Sequence, residues 1–138
     1  MNSLQAIQLM ISPVFMVSGC ALLLSTSNNK YSSVMSRIRI LSETAKNSKQ
    51  KTFQIKLLIS RLKFIRNATF SFQSAVGFFV LSSLFIGVSH FFKNDVVDSL
   101  VIILFSIGMI CVLFGTIFLA FESKKGYEII KEYTKEYL

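Results

Sequence analysis

The chain has 138 residues, enough for one domain, and 52% of them are hydrophobic while only 16% are charged. Soluble domains carry about 25% charge, so the composition, with a mean hydropathy of +0.57, excludes an ordinary water-soluble globule. The net charge of +8 then has to be placed against a membrane.

The first apolar run covers residues 4–25 and is interrupted mainly by Gln5, Gln8 and Ser12. It is long enough for a helix across a hydrocarbon core of about 30 Å, which needs about 20 apolar residues. Gln5, Gln8, Ser12, Gly19 and Thr26 share one face, and Pro13 removes a backbone donor beside Ser12. Polar side chains in a membrane span face protein or water. This face therefore either hydrogen-bonds another helix or lines a water path, with Gln5, Gln8, Ser12, Phe15 and Gly19 as candidate pore-lining residues. Val17-Ser18-Gly19-Cys20 also matches a lipoprotein cleavage box, but residues 1–10 hold no Lys or Arg and the oily run continues to Leu24, against that reading.

Residues 26–67 hold Lys30, Arg37, Arg39, Lys46, Lys49, Lys51, Lys56, Arg61, Lys63 and Arg66, with Glu43 as the sole acid. Tyr31, Val34, Met35, Ile38, Leu41 and Ala45 follow helical spacing, as do Ile55, Leu58, Ile59, Leu62 and Ile65. The spacing predicts a helical hairpin, about 29–46 and 52–67, turning near Asn47 and Ser48. Each arm is expected to continue a membrane helix. A basic face is compatible with nucleic acid, but no base-reading motif is present, and no nucleic acid is expected.

The second span is expected over 68–92 and the third over 99–121. Ala68, Ser71, Ala75, Ser82 and Ser89 lie on one face of the second, and Gly108, Cys111 and Gly115 on one face of the third. Small residues let helices approach closely in lipid. Asp98 suits a helix N-cap, and 122–138 forms a tail of balanced charge. Basic loops stay cytoplasmic, so the N-terminus is expected outside, 26–67 inside, 93–98 outside and the tail inside. Lys30, Arg37 and Arg39 then meet anionic lipid headgroups or form an inner mouth. Glu122 is the candidate ion-pair partner, with Lys124, Lys125 or a hairpin arginine within reach and Arg37 and Arg39, of the same or a neighbouring subunit, as the expected holders.

No catalytic set, cofactor motif or metal-ligand spacing is legible. His90 stands alone near Phe91 and Phe92, and Cys20 and Cys111, both in apolar runs, are expected as free thiols rather than a disulfide.

The stretches "ISPVF", "NNKYSSVMSRIRIL" and "RLKFIRNATF", followed by Glu122, together resemble the bacterial family called domain of unknown function 2721. Arg37, Arg39, Arg61 and Arg66 match its pattern, and Lys30 after Asn29 stands where the family typically has Arg. The resemblance implies a small bacterial inner-membrane protein and no activity. The expected fold is all-α: one membrane domain of three spans with a cytoplasmic helical hairpin between spans one and two. The expected function is not enzymatic. It is a homo-oligomer forming an anion-favouring pore, or alternatively a non-conducting scaffold or accessory subunit acting through its basic helices.

Overall fold

A computed structural model describes residues 3–44, 49–92 and 95–137, and within them it is entirely helical. Helix α1 runs Ser3–Thr44, α2 Lys49–Phe92 and α3 Asp95–Tyr137. Each arm of the expected hairpin is thus the uninterrupted continuation of a membrane helix. The expected turn at Asn47 and Ser48 falls outside the described residues. The segment 122–138, read from sequence as a tail, continues α3 as helix to Tyr137. Asp98 is not the cap of α3, which begins three residues earlier at Asp95. It lies in the first turn instead, where a carboxylate favours the positive end of the helix dipole, and it accepts a hydrogen bond from Ser89 Oγ.

Each helix is about 65 Å long at 1.5 Å per residue, twice the hydrocarbon thickness. All three contain a stretch long and apolar enough to cross a membrane, and little of each such stretch is buried inside the chain. Side chains such as Leu22 and Phe70, both 73% exposed, have hydrocarbon as their natural solvent. The protein is therefore a multi-pass membrane protein.

Packing follows a seven-residue repeat. On α2, Ile65, Phe72, Phe79 and Ile86 are buried, and so are Ala68, Ala75, Ser82 and Ser89, three residues on from each. On α1 the buried positions among the described residues are Pro13, Cys20, Ser27 and Val34, and on α3 they include Gly108, Gly115 and Glu122. A repeat of seven keeps one seam in contact between helices that wind left-handed. Helix α2 is the centre: α1 and α3 each pack along it and scarcely touch one another. Cys20, Ala75 and Phe79 form the middle of the core, with Val17, Phe105 and Cys111 around them. Both cysteines are free thiols.

The small residues of α3 are sockets. A Cβ on Gly108 would come within 2.7 Å of the Phe79 ring, and one on Gly115 within 2.6 Å of the Phe72 ring. Both rings are wholly buried, so neither can swing away. Hydroxyls supply the polar links: Ser71 Oγ donates to the Cys111 carbonyl at 2.7 Å and Ser82 Oγ to that of Val101 at 3.4 Å. Thr69 Oγ1 donates to the Ile65 carbonyl at 2.9 Å. Its one proton is then used, so Ser27 Oγ is the donor in the 2.7 Å contact with Thr69.

Replacing Gly115 by Ala should therefore lower stability by about 1–3 kcal/mol, the usual result of overpacking, read as a lower melting temperature in detergent. Adding Phe72→Leu should recover part of the loss. Gly77→Ala, at a position with nothing within 4 Å, should be neutral or slightly stabilising. Equal melting temperatures for the parent and Gly115→Ala would show that the socket is not filled.

Candidate functional site

The three helices meet chemically at one carboxylate. Glu122 on α3 is 2% exposed, and a buried charge at the edge of hydrocarbon needs partners, because an unpaired one costs several kcal/mol. Arg61 on α2 donates from Nε to Glu122 Oε1 at 3.1 Å, and from Nη2 to the same oxygen. Lys30 on α1 donates from Nζ to Oε2 at 3.3 Å. Each carboxylate oxygen is thus held by a different helix.

Local sequence makes room for this. Glu122 continues the buried seam of Gly108 and Gly115 at the next repeat of seven. One turn on stands Gly126, where a Cβ would approach Arg61 Nη2 to 3.0 Å. The bare backbone there lets the guanidinium lie flat against α3. Arg61 is part-buried and Lys30 is 41% exposed, so the arginine is the more desolvated partner. Nearby, Lys125 Nζ sits 4.5 Å from the centre of the Phe64 ring. That contact lays an apolar stem along the bundle while the ammonium stays near water.

Around the carboxylate opens a groove of about 740 Å³, lined by Lys30, Ser33, Arg37, Arg61, Glu122 and Tyr127 among others. Three cations face one anion across it.

Sequence reasoning singles out the acid and a hairpin arginine among its partners, but puts Arg37 and Arg39 ahead of Arg61. Within the chain, Glu122 is bound by Arg61 and Lys30, not by Arg37 and Arg39. Arg37 is exposed and lines the groove. Arg39 is 84% exposed and lies 3.9 Å from Glu43 on its own helix, a surface pair of little energetic consequence. The physical reasons differ: Arg39 projects away from the buried seam of Ser27 and Val34, whereas Arg37 shares the phase of Lys30 but stands one repeat of seven, about 10 Å, further along α1. Arg61 could have been found by register. From the Ser89–Asp98 hydrogen bond, equal steps along α2 and α3 bring Ile65 opposite Glu122 and Arg61 opposite Gly126.

The candidate pore-lining residues lie elsewhere. Gln8, Ser12, Phe15 and Gly19 are all exposed, on the side of α1 turned away from Pro13, Cys20 and Ser27. The side chains of Gln5 and His90 fall outside the described part. Among the described residues, no group of three or more His, Cys, Asp or Glu is gathered as a metal site would need.

Replacing Arg61 by Met should destabilise the bundle by about 3 kcal/mol, since it strands a buried carboxylate. The double variant Arg61→Met/Glu122→Met should regain most of that loss. Lys30→Met should have a smaller effect, and Glu122→Arg/Arg37→Glu should show no rescue. Thermal unfolding of detergent-solubilised protein reads all four. Full additivity of the Arg61 and Glu122 changes would refute the pairing.

The profile described as Protein of unknown function (DUF2721) matches residues 10–132. No curated protein matches the chain, and no solved structure does. The matched stretch contains the buried seams of all three helices together with Lys30, Arg61 and Glu122, and by it this chain belongs to the DUF2721 family.

Proposed function

We propose that the protein is a non-catalytic, homo-oligomeric scaffold of the bacterial cytoplasmic membrane, with its N-terminus outside and a three-helix stalk inside the cell. The observation that carries this reading is Gln73. It lies within the apolar stretch of α2 and is exposed. An amide facing hydrocarbon is unfavourable, whereas one facing a second copy can hydrogen-bond across helices. Support comes also from the other end. Beyond Glu122 all three helices continue for roughly 20 Å at 1.5 Å per residue, and there Met35, Phe53 and Ile59 are 49%, 61% and 53% exposed. Apolar side chains on a water-facing stalk are contact points for another chain. The orientation rests on the basic residues of 26–67, which cytoplasmic loops collect.

A second reading, an anion-favouring pore, is favoured by the exposed stripe of Gln8, Ser12, Phe15 and Gly19 on α1. A single chain offers no path along its core, because Phe72 and Phe79 fill the seam. A path would have to run between copies, past Phe15, towards Lys30, Arg37 and Arg39.

Mass measured in nanodiscs should exceed the 15.6 kDa of one chain by a whole-number factor. Gln73→Leu should weaken assembly about threefold, the equivalent of about 0.6 kcal/mol for an interhelical hydrogen bond. A monomer at every concentration would overturn the scaffold assembly and the pore together.

Planar bilayers separate the two. The scaffold reading expects no current from either the parent or Phe15→Ser. Current that grows on Phe15→Ser, and that turns cation-favouring when Lys30 and Arg37 become Glu, would establish the pore instead.

A further inference from the structure

We propose that the groove between α1 and α3 is a binding site for one anionic phospholipid, whose phosphate lies among Lys30, Arg37 and Arg61. The inference rests on the membrane reading of the three helices and not on assembly, conduction or orientation.

Charge comes first. Lys30, Arg37 and Arg61 face the groove with Glu122 as the one acid among its lining residues, so it carries a net positive charge. Glu122 does not cancel this. It consumes two Arg61 donors and one Lys30 donor. Lys has three donors and Arg five, so hydrogens remain on both cations. The carboxylate fixes where those hydrogens point, which holds the cations ready before a ligand arrives.

Depth comes second. The apolar runs end at residues 25, 68 and 121, and Lys30, Arg61 and Glu122 stand five, seven and one residues beyond those ends. Lys30 lies about 7 Å beyond residue 25 at 1.5 Å per residue. The headgroup layer on each side of a bilayer is about 5–8 Å thick, so Lys30 and the Glu122 carboxylate it binds sit at the level of lipid phosphates. Arg37 lies two turns further along α1. Side chains on a helix tilt towards its N-terminus, which for α1 is back towards the hydrocarbon.

Shape comes third. Because α1 and α3 scarcely touch, the groove opens sideways between them, along a face a lipid can enter from the bilayer. Its volume of about 740 Å³ has room for a phosphate and more. Ser33 and Tyr127 on its walls offer hydroxyls to the glycerol or sugar-like part of a headgroup. A choline headgroup would place its quaternary nitrogen among three cations, so a zwitterionic lipid is disfavoured.

Native mass spectrometry of delipidated protein, titrated with phosphatidylglycerol or phosphatidylcholine, tests this. One phosphatidylglycerol per chain should be retained in preference to phosphatidylcholine. Arg37→Gln, an exposed change outside the ion cluster, should weaken that retention about fivefold, as expected for the loss of one basic residue near the surface. Lys63→Gln removes the same charge from an exposed α2 position that does not line the groove, and should change retention less than twofold. Equal effects of the two variants, or equal retention of the two lipids, would overturn the proposal in favour of diffuse surface attraction. Inorganic phosphate at constant ionic strength should not displace the lipid. Complete displacement would assign the groove to a soluble phosphate and overturn the lipid source.

Discussion

Two helices in hydrocarbon gain little by hiding oily side chains from oily solvent, so this bundle has to be held by contact distance and by polar links. Phe72 and Phe79 enter the bare backbone at Gly115 and Gly108, and that fit sets how near α3 can come to α2. The rest follows from the closeness. Ser71 and Ser82 reach carbonyls of α3 only because the backbones are near. Glu122 is buried only because the same seam continues to its level.

Hydroxyls that cannot reach a neighbour turn inward. Ser18 donates to the Val14 carbonyl at 3.3 Å and Thr26 to that of Leu22 at 3.0 Å. Ser74 and Ser106 do the same on α2 and α3. Such bonds satisfy a hydroxyl without water, so a serine on the lipid face is not by itself a sign of a wet path. A side-chain amide such as Gln73 is longer and has more groups to satisfy, which is why it weighs more heavily than the serines.

The sequence was most informative where one residue type has one meaning in lipid. Long apolar runs set the three helices, and the small residues at Gly108 and Gly115 marked the α3 face that packs. It was least informative where the outcome depended on angular phase. Arg37 and Arg39 are basic like Lys30 and near it in sequence, yet Arg39 points away from the buried seam of α1, and Arg37, in phase with Lys30, stands one repeat of seven further along the helix. Arg61 belonged to another helix altogether, and its distance from Glu122 depends on a register that is fixed far away, around Ser89 and Asp98. Asp98 was misplaced as a cap because Asp95 and Val96, in what reads as a connection, already belong to the helix.

That α1 and α3 meet so little has a consequence for how disturbances spread. Changes along the α1 seam and along the α3 seam reach each other only where they share partners on α2, as in the core cluster of Cys20, Phe79 and Phe105, and elsewhere add independently. A second shared point is the carboxylate of Glu122, where Lys30 and Arg61 share one acceptor group. At that point an outer helix can feel the state of its opposite number. A tug on one flank of the molecule is thus conveyed to the other at two places among the described residues, the core around Phe79 and the carboxylate of Glu122.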